Sequence, residues 1–383
     1  MKEPKIRFKG FSGEWKECTL SNIITVNSGK DYKHLEKGTI PVYGTGGYML
    51  SVNTSLSEHD AIGIGRKGTI DKPQYLKAPF WTVDTLFFLT TNNGDNLDFL
   101  FSLSQNIRWQ KYDESTGVPS LSKNNIDKIR TCIPNKSEQQ SVASFFTSLD
   151  AQILASTSRL ASLKQMKAAS LQAMFPQEGE TVPKVRFKGF EGEWKKVKLS
   201  ECLEISTERN LNNEYGVNEV LSVSDEEGVM NQIKLLGRSY AGKSVTNYKI
   251  LRTNQVVYTK SPLKAKPYGI VKVNKGETGI VSVLYAVYDA KECVSPDYIH
   301  YYFEPTFRIN NYLLPLINKG AKNTMNISDE VSLQGDIILP NTLEEQLRIV
   351  EYLQTLDRQI ALHAQLLEKL KQIKAACLDK MFV

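Results

Sequence analysis

The sequence lacks the features that mark membrane, secreted or disulfide-linked proteins. None of its apolar runs approaches the roughly 18–20 residues that a membrane helix needs, and no apolar segment follows the charged start MKEPKIRFKGF, as it would in a secretory signal. The 5 cysteines are odd in number and never spaced as CxxC, which is typical of thiols in a reducing compartment. We therefore expect a cytoplasmic protein with no membrane partner.

Recognisable catalytic signatures are missing as well. The 4 histidines form no HExxH motif and no ligand-spaced pair, and no serine occupies a G-x-S-x-G turn. The pattern GxxxxGK[ST] occurs at 237–244, but residues 245–251, which follow it, are rich in β-branched and aromatic types and predict no helix. We expect a non-catalytic chain with no metal or cofactor of its own. A P-loop nucleotidase that uses Lys243 is the alternative from the enzyme class.

The composition permits a nucleic-acid partner without proving one. With 383 residues, 41% hydrophobic and 23% charged, the chain is an ordinary globular protein with room for two or three domains. Its net charge of +6 and its isoelectric point near 8.8 are moderately basic. Such a balance is compatible with a polyanionic partner.

One unit occurs twice in the chain. Residues 4–20 (PKIRFKGFSGEWKECTL) match residues 183–199 (PKVRFKGFEGEWKKVKL) at an offset of 179, whereas residues 138–153 match residues 345–360 at an offset of 207. The second offset also pairs LKQMKAASLQAMF with LKQIKAACLDKMF. The second copy therefore carries 207 − 179 = 28 more residues between its matching ends. Similar ends indicate a shared scaffold, and unlike middles indicate two different binding surfaces. Drift without functional consequence is the alternative.

Both repeated tails are predicted to be long helices, over 138–174 and 345–381. Their apolar residues recur at spacings of four and three over about four heptads, with Ser156 and His363 at the one gap in each series. Two such helices of equal length are expected to pair antiparallel, in the manner of a coiled coil, with one module at each end. The seam between them is predicted to contain Val142, Phe146, Leu149, Ile153, Leu160 and Leu163 of the first helix and Ile349, Leu353, Leu356, Ile360, Leu367 and Leu370 of the second.

The middles are predicted to be mixed modules with many short strands. Examples of these strands are expected at 39–43, 61–64, 87–90, 255–258 and 279–283. The fold class is therefore α+β: two mixed α/β modules separated by two long antiparallel helices, with a pseudo-twofold internal repeat. The expected boundaries are 1–136 for module one, 137–182 for the first helix and a linker, 183–341 for module two and 342–383 for the second helix.

Six longer segments carry the most distinctive sequence. They are PVYGTGGYM (41–49), IGIGRKGTIDKPQYL (62–76), FWTVDTLFF (80–88), STGVPSLSKNNIDKIRTCIPNKSEQQSVASFF (115–146), YKILRTNQVVYTKSPL (248–263) and LPNTLEEQLRIVEYLQTLD (339–357). In this order along a duplicated chain, they resemble the specificity subunit of a type I restriction-modification system. The resemblance covers nearly the whole chain.

The resemblance implies a function, a set of partners and the cofactors of those partners. Each module would be a target recognition domain that reads one half of a bipartite, asymmetric double-stranded DNA target, and the helices would set the unread spacer. Two methyltransferase subunits would dock on the helices and bring S-adenosylmethionine for adenine methylation. Restriction subunits would bring ATP and Mg. A scaffold whose modules bind other proteins is a further alternative.

The residues expected to contact DNA lie in glycine-rich and polar loops. Glycines beside cations let the backbone approach phosphate, although a tight turn with incidental surface charges would look the same. The candidates are Arg66, Lys67, Lys123 and Asn124 in module one, and Lys260, Lys264, Lys266, Lys322 and Asn323 in module two. Four tyrosines of the modules are expected in the core or at its rim: Tyr43, Tyr48, Tyr240 and Tyr268.

Overall fold

The chain divides into two compact units. Unit 1 comprises Met1–Arg159 and His363–Val383, and unit 2 comprises Leu160–Leu362. Each long helix therefore contributes one part to each unit. The computed structural model describes residues 2–242, 244–263, 265–319 and 325–383. Within those ranges, no helix is long and apolar enough to cross a membrane.

Unit 1 consists mainly of short strands, with three short helices before the long one. Its strands are β1 (Lys16–Thr19), β2 (Ile24–Ser28), β3 (Lys37–Gly44), β4 (Gly47–Val52), β5 (Ala61–Gly65), β6 (Gln74–Leu76), β7 (Trp81–Thr82), β8 (Leu86–Thr91) and β9 (Arg130–Ile133). Its helices are α1 (Leu20–Ile23), α2 (Leu97–Asn106), α3 (Lys123–Asp127) and the first part of α4 (Lys136–Ala173). The predicted strands at 39–43, 61–64 and 87–90 are confirmed.

Unit 2 repeats this plan with more strands. Its strands are β10 (Lys195–Lys198), β11 (Leu203–Ile205), β12 (Leu221–Ser224), β13 (Gly228–Asn231), β14 (Lys249–Leu251), β15 (Val256–Thr259), β16 (Val271–Val273), β17 (Gly279–Val281), β18 (Tyr285–Ala290), β19 (Asn318–Lys319), β20 (Met325–Asn326) and β21 (Asp336–Leu339). Its helices are α5 (Leu199–Cys202), α6 (Gln232–Leu236), α7 (Pro296–Phe303), α8 (Thr306–Leu313) and the first part of α9 (Leu343–Met381). The predicted strands at 255–258 and 279–283 and both predicted long helices are confirmed.

The same antiparallel sheet stands at the centre of both units. Its strand order is β2-β8-β5-β6 in unit 1 and β11-β18-β15-β16 in unit 2. A separate antiparallel pair, β1 with β9 or β10 with β21, lies beside the helix start in each unit. The middle of unit 1 adds a sheet of β4, β3 and β7, whereas unit 2 has the separate pairs β12–β13 and β14–β17. The predicted α+β class with an internal repeat is therefore confirmed.

The long helices run antiparallel within unit 1. The Asp150 carboxylate of α4 lies 2.6 Å from the Lys374 ammonium of α9. One turn earlier on α4, the Phe146 ring lies 5.8 Å from the ring of Phe382, which follows α9 directly. Contacts that move toward the start of α4 thus move toward the end of α9.

Unit 2 shows the same antiparallel arrangement with its own residues. The Lys167 ammonium of α4 lies 2.6 Å from Asp357 of α9, and the Ser170 and Tyr352 hydroxyls are 3.2 Å apart. Asp357 and Lys167 are the counterparts of Asp150 and Lys374 at the 207 offset, so one ion pair is made twice. All predicted seam residues are buried except Ile153, Leu160 and Ile360, which are half-buried.

A buried arginine–glutamate–tryptophan cluster holds the N-terminal segment to the start of α4. The Arg7 guanidinium donates to both carboxylate oxygens of Glu138, at 2.7 and 2.8 Å, and also to the Gly13 carbonyl at 2.6 Å. The Trp15 indole N–H donates to the same carboxylate at 3.3 Å. Glu138 is only 1% exposed, so these donors replace the water that its charge would otherwise need.

Unit 2 contains the same cluster at the start of α9. Arg186 donates to both oxygens of Glu345, at 2.6 and 2.9 Å, and to the Gly192 carbonyl at 2.6 Å. The Trp194 indole donates to Glu345 at 3.2 Å. Since the arginines are related by the 179 offset and the glutamates by the 207 offset, the two repeated ends of each unit contact each other. We call this cluster the frame anchor.

Candidate nucleic-acid interface

Three loops meet in unit 1 where strand β5 ends. Arg66 follows β5 directly, and its carbonyl accepts a hydrogen bond from the Leu121 N–H at 2.9 Å. Lys67 pairs with Ser120 as an isolated antiparallel bridge. The glycine-rich turn and the PSLSKNN segment, which are separated by about 50 residues in the sequence, are therefore neighbours.

The tip of the β3–β4 hairpin is the third loop. The Gln74 side-chain amide donates to the Gly44 and Thr45 carbonyls at 2.9 and 3.2 Å, which fixes the tip against β6. Gly68 has a φ of +96°, a conformation that favours glycine, and a Cβ built there would lie 3.8 Å from the Thr45 hydroxyl. We call residues 44–47, 65–68 and 113–124 the loop edge of unit 1.

All four DNA-contact candidates of module one lie on this loop edge and are exposed. They are Arg66, Lys67, Lys123 and Asn124. The Arg66 guanidinium lies 5.7 Å from the centre of the Phe87 ring. The salt bridges formed by the described residues of unit 1 all use other cations, so the charges of the loop edge remain available to an anion.

Unit 2 has an equivalent loop edge, in which Lys260 occupies the position of Arg66. Lys260 follows β15 as Arg66 follows β5. Its N–H donates to the Leu284 carbonyl just before β18, at 3.1 Å, and the Arg66 N–H donates to the Thr85 carbonyl just before β8, at 2.8 Å. The two sheets thus bring a cation to the same place.

The second segment of the loop edge is also equivalent, but its charge is reversed. The Ser122 hydroxyl accepts a hydrogen bond from the Asn125 N–H, and the Ser328 hydroxyl accepts one from the Val331 N–H, both at 3.2 Å. The residue after the capping serine is Lys123 in unit 1. In unit 2 it is an aspartate, Asp329.

The two candidates of module two that the structure describes are paired with carboxylates. Asp329 accepts from Lys260 at 2.7 Å and also binds the buried Lys249. Asp225 accepts from Lys266 at 2.8 Å and lies 3.5 Å from a second lysine, Lys272. Both candidates are therefore involved in internal ion pairs. The other candidates of module two, Lys264, Lys322 and Asn323, lie outside the described residues.

Two of the four tyrosines expected in the core or at its rim lie on the surface. Tyr48 on β4 is 63% exposed, and Tyr240 is 61% exposed with the Arg238 guanidinium 4.6 Å from its ring centre. Tyr43 and Tyr268 are half-buried. The alternation along β4 places Tyr48 on the same face as Leu50 and the buried Val52, so it predicts an inward-facing ring. No local pattern distinguished Tyr240.

A cleft of about 220 Å³ in unit 2 is lined by Thr259 and by Tyr240, whose ring lies 4.6 Å from the Arg238 guanidinium. Its lining includes the rings of Tyr240, Tyr248 and Tyr285 and the hydroxyl residue Ser261. Aromatic faces next to a cation provide surfaces on which bases can stack. The cleft therefore adds an aromatic surface to this part of unit 2.

The P-loop pattern does not adopt the structure that phosphate binding requires. Gly237, its first residue, caps the end of α6 with a φ of +78°. Residues 244–248 form turn and loop and lead into β14, so a strand–loop–helix arrangement is not formed there. Lys243 lies outside the described residues. In the part of the chain that the structure describes, no group of three His, Cys, Asp or Glu side chains is placed to hold a metal ion.

A family model assigns both copies of the repeat. The model, described as the type I restriction modification DNA specificity domain, matches residues 12–165 and again residues 191–372. The two matches together cover most of the chain. The chain therefore belongs to this family and contains two of its DNA specificity domains.

A solved structure with a TM-score above 0.5 shows the same architecture. The S subunit of a type I restriction-modification system from M. genitalium has a TM-score of 0.68 at 11% identity, covering 100% of this chain and 99% of that one. The HsdS subunit from Thermoanaerobacter tengcongensis has a TM-score of 0.43 at 16% identity, with coverage of 100% and 99%. At this level of identity the first likeness establishes the fold alone. No curated protein sequence gives a significant match.

Proposed function

We propose that the chain is the non-catalytic DNA-recognition subunit of a type I restriction-modification complex. Each unit reads one half of a bipartite, asymmetric double-stranded target. The observation that carries this proposal is the repeated sheet, which presents a loop edge of different chemistry in each unit. Phosphate contacts would supply salt-dependent affinity, and base-edge contacts would supply the choice of sequence.

The two long helices would set the length of the unread spacer. They contain 38 and 39 residues, which corresponds to roughly 57–59 Å at 1.5 Å per residue. Half-sites about one helical turn of DNA apart, roughly 34–36 Å, would present both grooves on one face. Because each helix begins at one frame anchor, a change in helix length would change the spacing and leave both loop edges intact.

Each unit also presents an apolar surface that suits a partner protein. Phe8 packs against Phe145 of α4 with ring centres 5.9 Å apart, and Phe187 packs against Tyr352 of α9 at 6.1 Å. These four rings are half-buried. In unit 2, Phe187 and Tyr352 border an open groove of about 500 Å³ that is also lined by Phe190.

An exposed apolar residue also recurs at equivalent positions of the two long helices. Met166 of α4 is 45% exposed, and Ile373, its counterpart on α9 at the 207 offset, is 39% exposed. A surface present twice in the same form fits two copies of one partner. We assign it to the modification subunits, which would bring S-adenosylmethionine and methylate adenine. Restriction subunits would add ATP and Mg in the complete complex.

A heptad insertion tests the proposal. One heptad is inserted into α4 and one into α9, and the methylated sites of the host genome are mapped. We expect both half-sites to keep their bases while the spacer lengthens. Insertion into one helix alone is the matched control, and it should abolish methylation because the antiparallel contacts lose their register. Altered half-site bases in the double insertion would contradict the assignment of the helices.

DNA binding gives a second test. The chain together with its modification subunits should bind duplex DNA with an affinity that falls steeply as salt rises. Weak association that is insensitive to salt would instead favour a scaffold that binds proteins. The same sample should not hydrolyse ATP in the absence of restriction subunits. Hydrolysis that is lost in Lys243→Ala would favour the nucleotidase.

A further inference from the structure

The net positive charge is distributed unequally between the two units. Unit 1 contains 23 lysines and arginines and 18 aspartates and glutamates, a net charge of 23 − 18 = +5. Unit 2 contains 25 and 24 of these residues, a net charge of 25 − 24 = +1. Almost all of the excess charge that could attract a polyanion therefore belongs to unit 1.

The same inequality appears at the equivalent positions of the two loop edges. Arg66 and Lys123 of unit 1 are exposed, whereas Lys260 of unit 2, at the position of Arg66, is 20% exposed and bound to Asp329. Asp329 itself stands at the position of Lys123. At these two positions, unit 1 therefore presents two positive charges, while unit 2 presents an ion pair.

One carboxylate between two lysines occurs twice in unit 2. Asp329 holds Lys260 together with Lys249, whose side chain is 7% exposed. Asp225 holds Lys266 and Lys272, whose side chains are 12% and 10% exposed. Ammonium groups held in this way offer a phosphate fewer free donors.

Both carboxylates are ionised at neutral pH. Burial alone would raise the pKa of the Asp329 carboxyl, but hydrogen bonds and charge from Lys249 and Lys260 bring it below its ordinary value. The pKa of Asp225 is lowered in the same way, with Lys266 and Lys272 opposing burial. Each lysine pair therefore has one ionised carboxylate beside it, which balances one of its two positive charges.

We propose that Asp329 and Asp225 are positioning residues that hold the lysines of unit 2 away from DNA phosphates. Unit 1 then supplies most of the salt-dependent affinity, and unit 2 contributes to the choice of sequence with little non-specific attraction. This inference rests on the proposed DNA-recognition function. Holding these lysines away from phosphates would improve the discrimination between cognate and other DNA sequences, because phosphate contacts strengthen binding to every sequence alike.

The test uses the chain in complex with its modification subunits and measures duplex affinity across a salt series. The duplexes are a cognate and a scrambled sequence. Asp329→Asn and Asp225→Asn keep the side-chain shape and free the lysines. We expect each to steepen the dependence of log K on log salt by about 1 and to tighten binding to the scrambled duplex several-fold, since the loss of one carboxylate charge leaves one more uncompensated cation, which adds a slope of about 0.9. Binding to the cognate duplex should gain less, so discrimination falls.

Matched variants separate this effect from a general change in charge. Asp336→Asn is the control, because Asp336 also binds two lysines, Lys196 and Lys198, but lies on β21 outside the loop edge. It should leave the salt dependence unchanged. Lys123→Gln in unit 1 should reduce the slope by about 0.9, and Lys260→Gln in unit 2 should reduce it by clearly less. This last pair remains informative if an asparagine variant does not fold.

The possible outcomes are distinct. Unchanged slopes in both asparagine variants, or equal losses in Lys123→Gln and Lys260→Gln, would overturn the inference while leaving DNA recognition in place. Restoration of the wild-type slope by Asp329→Glu would support positioning by the carboxylate. A wild-type complex that shows no salt-dependent binding to duplex DNA would overturn the proposed function, and this inference with it.

Discussion

The frame anchors and the loop edges of the two units differ in how closely they repeat. In the frame anchors, the arginine–glutamate distances are 2.7 Å in unit 1 and 2.6 Å in unit 2, with the same tryptophan donor. At the loop edges, equivalent positions hold Lys123 and Asp329, which have opposite charges. A buried carboxylate requires its donors at fixed positions, whereas an exposed loop is constrained mainly by its ends. The scaffold is thus fixed by internal pairing, and the loop edges are free to match different ligands.

Loss of the anchor glutamate should have the largest effect. Glu138→Ala and Glu345→Ala each leave a partly buried arginine and a buried indole N–H without their acceptor. We expect each to lower the free energy of unfolding by about 3 kcal/mol, at the lower end for a broken buried pair because the guanidinium keeps some access to water. Chemical denaturation, with hydrogen exchange to identify the affected unit, would measure both values.

An exposed ion pair provides the control for this comparison. Glu208→Ala removes the partner of Arg252, where both side chains are about half exposed, and should leave the unfolding midpoint unchanged. If Glu138→Ala and Glu345→Ala lowered the free energy of unfolding by very different amounts, the two frame anchors would not be energetically equivalent.

The ion pair between the long helices should be worth more in unit 2 than in unit 1. Lys167 contacts both Glu304 and Asp357 at 2.6 Å, and its side chain is only 14% exposed. Burial would lower the pKa of Lys167, but the two carboxylates raise it above its ordinary value. Lys374, its counterpart in unit 1, contacts Asp150 alone. We expect Lys167→Met to cost about 2 kcal/mol and Lys374→Met less than about 1 kcal/mol.

The extra cost in unit 2 arises from the two carboxylates that Lys167 separates. A double-mutant cycle with Glu304→Gln should therefore recover part of the loss, since the remaining Asp357 still accepts from the Tyr301 hydroxyl at 2.7 Å. Unfolding curves of the single and double variants measure this recovery. Equal costs for Lys167→Met and Lys374→Met would show that Glu304 adds nothing to the pair.

The scaffold could be predicted from sequence because its signals are local or repeated. Amphipathic spacing identified both long helices, and α4 and α9 lie within two residues of the predicted bounds. Two offsets identified the repeated ends. The contact between those ends was not predictable from the sequence. Arg7 and Glu138 are 131 residues apart, and neither segment contains a local pattern that identifies the other as its partner.

The loop edge was predictable in unit 1 and less so in unit 2. The glycine-rich turn and the PSLSKNN segment of unit 1 each stood out by composition, and the sheet brings them together. In unit 2 composition indicated Lys322 as a candidate, whereas the position equivalent to Lys123 is occupied by Asp329. The pairing of Lys266 with Asp225, 41 residues away, depends on the tertiary fold. The DNA-contact assignments remain predictions.

Acid should remove the contribution of Asp329 to the free energy of unfolding, and it should have little effect on any contribution of Lys123. The pKa of Asp329 is lower in the folded chain than in the unfolded chain, where it is about 3.9. Its stabilisation is therefore fully present above the unfolded value and is lost as pH falls through the folded one. Asp329→Asn should lower the free energy of unfolding at pH 7, and it should lower it progressively less below about pH 4. Unfolding measured across pH, with Lys123→Gln as the control, tests this difference. A cost that does not change with pH would mean that the carboxylate charge contributes nothing.

The end of a long helix is joined covalently to the start of the repeated segment that packs against it in unit 2 but not in unit 1, and this difference should not decide whether the units assemble. In unit 2 the chain turns back after α4, and the Val185 N–H donates to the carbonyl of Ala173, the last residue of α4, at 2.9 Å. In unit 1 the Ile6 N–H donates to Lys380 at 3.0 Å, although these residues are at opposite ends of the sequence. The same hydrogen bond thus forms with and without a short covalent connection.

Cleavage within residues 177–179, at an inserted protease site, should therefore leave the protein assembled. Each fragment contributes to both units: the first supplies α4 to unit 2, and the second supplies the end of α9 to unit 1. The anchor between Arg186 and Glu345 lies wholly within the second fragment and is untouched. We expect the cleaved chain to elute as one species in size-exclusion chromatography, although its unfolding midpoint should now depend on protein concentration. Fragments that separate without denaturant would show that the linker, and not the packing of the helices, holds unit 2 together.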